Sequence, residues 1–230
     1  MSISQQVGWR VWVLTFAVLI APLGVEGRQA EALGTGRPAT GADPASRFDY
    51  YLLSLSWSPT YCLTNPSDAA QCDGKGYGFV LHGLWPQYAR GGYPEYCASA
   101  NRLTQDAIEL GKTIFPSPKL IRHEWERHGT CSGMGAAEYF ELSDRARTSL
   151  KIPPELESPA RPLNLTAARI NNLFVQANPG LRADQLVVRC TGPELREIQV
   201  CFDQQLAPRA CGRDVRSNCR GGSVRIPAIR

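Results

Sequence analysis

The sequence predicts an α+β fold: a central, mostly antiparallel sheet flanked by helices, in a single disulfide-stapled domain. Three observations carry this. Four segments have the pattern of strands, three have the three- and four-residue steps of amphipathic helices, and eight cysteines punctuate the chain. A length of 230 residues, with 43% apolar and 20% charged side chains, fits one globular domain or at most two small ones. A chain this apolar can bury enough surface to offset the conformational entropy it loses, which argues against disorder. No glycine period or sustained heptad appears, so collagen-like and coiled-coil architectures fail.

Residues 1–32 read as a secretory signal peptide. Arg10 supplies a short positive stretch, and Val11 to Ala21 is an apolar run of 11 residues broken only by Thr15. Small residues suited to cleavage follow, near position 27 or 32. A run of this length is too short for a bilayer, which takes about 20 residues. The expected product is a secreted or periplasmic protein, free of the membrane once mature. Residues 33–46, rich in Gly, Ala, Pro and Thr, read as a flexible linker, and 47–230 as the domain with a basic C-terminal tail.

Within the domain, Phe48 to Trp57 is apolar on both alternating faces until Ser54 and Ser56 interrupt one of them, as in a central strand. Gly78 to Leu84 predicts a second strand, with Val80 and His82 on one face and Phe79 and Leu81 on the other. Thr104 can cap a helix running towards Thr113 and ending before Pro116. Ala137 to Leu150 places Phe140, Leu142, Ala146 and Leu150 at helical steps. Thr166 can cap a helix with Ile170, Leu173, Phe174 and Ala177 on one stripe, stopped by Pro179 and Gly180. Leu186 to Cys190 and Leu195 to Phe202 return to strand patterns, the latter alternating Ile198, Val200 and Phe202 against Glu197, Gln199 and Cys201.

All eight cysteines (62, 72, 97, 131, 190, 201, 211 and 219) lie beyond the signal, and an even count in an exported chain reads as a disulfide framework. Zinc is disfavoured, since no C-x-x-C occurs. Spacing alone leaves the pairing open. The net charge of +4 is a local property: residues 209–230 carry six arginines against Asp214, a +5 that leaves the remainder at −1. Such a tail can attract phosphate backbones, or it can simply be a solvated terminus.

Histidine is scarce. The only three are His82, in His82-Gly83-Leu84-Trp85-Pro86, and His123 and His128, in His123-Glu124-Trp125-Glu126-Arg127-His128-Gly129-Thr130-Cys131. If Leu120 to His128 is helical, at about 100° per residue, His123, Arg127, Glu124 and His128 share one arc of about 140°. Ile121 and Trp125 border that arc and can pack on the core, while Arg122 and Glu126 face away. A solvated face explains Arg122 and Glu126, yet not why two of three histidines lie here. A zinc helix needs histidines four apart with its glutamate between them, whereas these are five apart and Arg127 would crowd a cation. Phosphoryl transfer from a 2′-hydroxyl fits better. One imidazole takes a proton from the nucleophile, another gives one to the leaving oxygen, and Arg127 balances the charge that builds up. His128, close to a helix C-terminus, is expected to be favoured in its protonated form by the helix dipole.

At these two segments the sequence resembles the T-two family of secreted ribonucleases, which includes the plant self-incompatibility S-ribonucleases. The family signatures H-G-L-W-P and H-E-W-x-K-H-G-T-C stand here as His82 to Pro86 and His123 to Cys131, and the likeness extends to Trp57 to Cys62 and to the cysteine layout. The resemblance implies a metal-independent, cofactor-free endoribonuclease acting as a monomer on RNA through a 2′,3′-cyclic phosphate to 3′-phosphate products. By position, His82, Glu124 and His128 would be catalytic, with His82 the donor and His128 the acceptor in the first step. Glu124 and Arg127 would stabilise the pentacoordinate phosphorus, His123 would hold phosphate, and Trp85 would border the pocket. Position 127 is usually lysine in that family and is arginine here. Tyr88, Tyr93 and Phe115 are candidates for stacking on bases by proximity, with Tyr88 the one assigned to substrate binding. The layout also implies pairing of Cys62 with Cys72, Cys97 with Cys131, Cys190 with Cys219 and Cys201 with Cys211. The rival reading is a weakly active or inactive extracellular RNA-binding or signalling protein of the same fold.

Overall fold

The structure, a computed structural model, describes residues 47–97 and 99–229. The expected signal peptide and linker lie outside these residues. The mixed architecture follows the expected class. A six-stranded sheet runs in the order β2-β1-β5-β6-β3, with β4 also paired to β5. Its strands are β1 (Tyr50–Trp57), β2 (Phe79–Gln87), β3 (Leu163–Leu165), β4 (Leu186–Thr191), β5 (Glu194–Phe202) and β6 (Val224–Ile226). Every pairing is antiparallel except one parallel register, Glu194 opposite Arg225, between β5 and β6.

The described residues also form seven α-helices: α1 (Ser58–Thr64), α2 (Ala69–Cys72), α3 (Gln105–Ile114), α4 (Pro118–Arg127), α5 (Ala136–Ser149), α6 (Pro154–Glu157) and α7 (Ala167–Ala177). Thr104 and Thr166 cap α3 and α7, accepting from the N–H groups of Ala107 and Arg169. No described helix is long and apolar enough to cross a membrane.

Register divides the sheet into two unlike faces. Residues directly opposite one another share a face. Leu53, Val200 and Leu186 form one such row, and Leu55, Ile198 and Val188 the next; all join the main core with Phe140 of α5 and Phe174 of α7. On the other face the rows are Ser54, Gln199 and Val187, then Ser56, Glu197 and Arg189. Glu197 and Gln199 are therefore buried although they alternate with the apolar residues of β5. That second face also carries Leu52 opposite Trp85 and, two positions on, Ser54 opposite Gly83. The site is built there.

The end of the C-terminal tail packs into the fold, while Arg213, Arg216, Arg220 and Arg225 stay exposed. Val224 and Ile226 are buried in β6, and Trp57 Nε1 donates to the carbonyl of Pro227 at 3.0 Å. Alternating apolar residues among the arginines give the tail a strand's buried face, which its charge count conceals. The disulfides join Cys62 to Cys72, Cys97 to Cys131, Cys190 to Cys219 and Cys201 to Cys211, the pairs that the resemblance implies.

Candidate active site

A β-bulge aims His82. Ser54 pairs with Gly83 and Leu55 with Leu81, so His82 is the extra residue between them. Bulges redirect a side chain and break strict alternation, so His82 does not share a simple face with Val80 as the sequence pattern predicts. Its Nδ1 lies 2.8 Å from Glu197 Oε1 and 3.3 Å from Ser56 Oγ. Its Nε2 faces Glu124 Oε1 at 3.7 Å.

The second histidine segment begins earlier than expected. Ser117 caps α4 by accepting from the N–H of Leu120, and Pro118 occupies the first turn, where its missing N–H costs nothing. Arg127 is the last helical residue and His128 is the C-cap. The turn to Gly129–Cys131 follows, with Cys131 N–H bonded to the carbonyl of His128 at 3.0 Å. Ile121 and Trp125 are buried and Arg122 and Glu126 exposed, as the helical arc requires.

Trp85 ties the two segments together. Its indole stands 5.0 Å from the His82 ring, edge-on, and 5.2 Å from the His128 ring, nearly parallel. Trp85 Nε1 donates to Glu124 Oε2 at 2.7 Å. A Cβ on Gly83 would stand 2.8 Å from Glu124 Cδ and closer still to Oε2 and Trp85 Nε1, so this position admits only glycine. Gly129 is similarly pressed, since a Cβ there would reach Tyr139 Cδ1 at 2.8 Å. His123 is exposed, with its ring centroid 6.4 Å from that of His128.

Burial sets the charges. Glu124, with no exposed surface, has its pKa pushed up to about 7 by desolvation, which the charge of His82 and the Trp85 bond only partly offset. Desolvation works to lower His82, but the hydrogen bond its Nδ1–H donates to Glu197 and the charge of Glu124 outweigh it and its pKa is raised. Glu197 moves the other way: burial works against its charge, yet the bond to His82 wins and its pKa is lowered. His123 is lowered by desolvation and by Arg127. His128 falls to about 3, through desolvation first and then the charges of Arg127, His123 and His82. The expected dipole stabilisation of its protonated form is thus overturned. A surface helix terminus contributes about 0.3–1 kcal/mol, less than the cost of burying an imidazolium that is 5% exposed.

Arg127 engages partners that the motif does not contain. It donates to Tyr93 Oη at 3.0 Å, pairs with Glu95 at 2.9 Å, and lies within 5.9 Å of both the Tyr93 and Tyr96 rings. Tyr93 is 43% exposed and 5.9 Å from the His128 ring. Phe115 is core, 5% exposed and edge-on to Phe140, so it is not available to stack on a base. Tyr88 is half-buried against the same core. A cleft of about 490 Å³ opens beside His82, bordered by His123, with Lys119 and Arg196 set against Asp68 and Glu197 on its wall. Neither Tyr88, Trp85 nor His128 is on its wall. Glu197, Ser56, Glu95 and Tyr96 escape the sequence reading of the site; for Glu197 and Ser56 the available signal is polar residues in otherwise apolar strands, while Glu95 and Tyr96 lie outside any strand or helix and carry none. Among the described residues no group of three or more His, Cys, Asp or Glu side chains is placed to hold a metal ion.

The model of the ribonuclease T2 family matches residues 48–211, which include both histidine segments. This chain belongs to the ribonuclease T2 family. A ribonuclease of Aeromonas hydrophila is 44% identical over 173 residues, covering 70% of this chain and 74% of that one. Ribonuclease DdI of Dictyostelium discoideum is 26% identical over 204 residues, covering 79% and 85%. Among solved structures of the fold, an RNase-related protein from Calystegia sepium is 25% identical, with a TM-score of 0.64 over 80% of this chain and 99% of that one. A mutant of RNase MC1 in complex with 5′-UMP is 24% identical, with a TM-score of 0.61 over 77% and 98%. Membership of the ribonuclease T2 family supports endoribonuclease activity and does not favour the rival reading of a non-cleaving protein.

Proposed function

We propose that this protein is an exported endoribonuclease that cleaves single-stranded RNA by transphosphorylation, with His128 as base and His82 as acid. The observation that carries the reading is the split in charge between two histidines separated by one indole ring. His128 is held neutral by burial, and His82 is held charged by Glu197 and Glu124. An acid–base pair needs its members in opposite protonation states at one pH.

In the first step His128 removes the proton of the 2′-hydroxyl, and the 2′-oxygen attacks phosphorus. The bond to the 5′-oxygen breaks as His82 delivers its proton to that oxygen, giving a 2′,3′-cyclic phosphate and a 5′-hydroxyl. In the second step the roles exchange. His82 takes a proton from water, His128 returns one to the 2′-oxygen, and a 3′-phosphate is left.

Glu124, protonated below its pKa of about 7, can donate a hydrogen bond to a phosphorane oxygen beside His82. Arg127 supplies positive charge once substrate phosphate replaces Glu95, a partner that is 45% exposed. His123, exposed beside the cleft, holds phosphate, and Tyr93 offers its ring to a base. No step draws on a metal or cofactor. Export through the N-terminal signal accords with four disulfides.

Digestion of RNA in excess EDTA, beside DNA of the same sequence, tests the reading. Full activity on RNA and none on DNA is expected. Loss of activity in EDTA, or equal cutting of DNA, would overturn the mechanism.

A further inference from the structure

We propose that Glu197 is the positioning residue of His82, a buried carboxylate that fixes which ring nitrogen faces substrate and keeps the imidazole charged until the leaving oxygen takes its proton. Its chemical consequence rests on the ribonuclease reading, but the pairing can be measured without turnover.

The geometry is specific. Glu197 is 2% exposed, on the sheet face opposite the core. Its Oε1 lies 2.8 Å from His82 Nδ1, and the carboxylate is itself fixed by Gln199 Nε2 at 3.2 Å and Ser56 Oγ at 3.4 Å. A buried carboxylate is costly unless a cation and hydrogen bonds face it. The imidazolium of His82, at 2.8 Å, is the nearer of the two described cations that face it. Arg196 Nε, on a side chain 52% exposed, approaches Oε1 at 3.4 Å from the solvent side.

With Nδ1–H donated to Glu197, the Nε2 position is left to face Glu124 and the site. This is the arrangement of reactive group, imidazole and orienting carboxylate that recurs wherever a histidine must hold one tautomer. Glu197 takes no proton in the reaction. It stays ionised while Nε2–H is given up, so the neutral ring is left in the tautomer required to accept a proton from water in the second step.

The groups facing His82 are Glu124 and His123 of α4, His128 beyond it, Glu197 and Arg196 of β5, and Ser56 of β1. Of the two carboxylates facing the ring, Glu197 lies within hydrogen-bonding distance of Nδ1, at 2.8 Å, and Glu124 stands off from Nε2 at 3.7 Å.

The test uses the full mature protein and the variants Glu197→Gln and Glu197→Ala. Because the chain has three histidines, the ring signals in an NMR titration are few enough to follow individually. Losing a charge-assisted bond while keeping its shape should lower the His82 midpoint in Glu197→Gln by about one to two pH units. The alkaline limb of kcat should move down with it, with KM unchanged. Glu197→Ala should lose more kcat, since the tautomer is released as well. If His82 titrates as in the wild type in both variants while only thermal stability falls, Glu197 is structural and the proposal is overturned. A shifted His82 midpoint in a protein that proves unable to cut RNA would uphold the pairing and count against the ribonuclease reading alone.

Discussion

Trp85 donates its indole N–H to Glu124 Oε2 at 2.7 Å, and that bond lies across the bare Cα of Gly83. Two residues far apart in sequence are locked there. The carboxylate so held has Oε1 buried with no hydrogen-bond donor. Its folded pKa of about 7 exceeds the ordinary 4.5. The native state therefore binds this proton more tightly than the unfolded chain, and stability is lost as pH rises from 4.5 through 7. Glu124→Gln, which cannot ionise, should be more stable than the wild type at pH 8 by up to about 3 kcal/mol. The gap should close near pH 5, while kcat falls by about 100-fold at either pH. Thermal melts across this range, paired with rates, check both halves.

Gly83→Ala should disable the site more than it harms the fold. The new methyl group collides with the Trp85–Glu124 bond, and His82 precedes it in the same bulge. A loss of about 1–3 kcal/mol in stability is expected from the forced shift, with kcat down by more than tenfold. Denaturant melts and rates on the purified variant would show it, and an active Gly83→Ala enzyme would contradict this arrangement.

The rate should depend on pH through both histidines. The competent form has His128 neutral, which holds above about 3, and His82 protonated, which persists past the ordinary 6.5. kcat/KM should thus rise through about pH 3, hold across the acid range, and fall above 6.5. The same depression of His128 has a stability cost in acid: the unfolded chain accepts that proton more readily, so stability falls as pH drops from 6.5 towards 3. His128→Asn should resist acid better than the wild type, as melts at pH 4 would record.

Tyr93 and Arg127 separate binding from chemistry. Tyr93→Ala removes a stacking surface worth about 1–3 kcal/mol per base, so KM for an oligonucleotide should rise by about fivefold or more with kcat less affected. Arg127→Lys keeps the charge and gives up the planar contacts with Tyr93 and Glu95. Steady-state kinetics on both variants should place the first effect in KM and leave Arg127→Lys active.

Much of this was legible in the sequence where the signal is local. The caps Thr104 and Thr166, the apolar stripes of α5 and α7 and the strand patterns of β1 and β5 all follow from periodicity. The arc of His123, Glu124, Arg127 and His128 needs only helical geometry. What escaped depends on long-range pairing. Glu197 lies 115 positions from His82 and reaches it only through the registers of β1 with β2 and β5. The bulge that turns His82 has no local marker beyond Gly83. The helix terminus beside His128 is visible in sequence and points to a charged ring, whereas the burial that keeps the ring neutral is not. β6 was hidden because arginines dominate the tail's composition while its alternation spans three residues.

The proposed reaction turns on a 2′-oxygen nucleophile that His128 activates. Phosphorus NMR of a short RNA turned over in excess EDTA tests this most directly. A 2′,3′-cyclic phosphate signal should grow, decay to a 3′-phosphate, and be absent both with His128→Ala and with a 2′-deoxy residue at the cut. Cleavage at that 2′-deoxy position, or a 5′-phosphate product, would contradict the account.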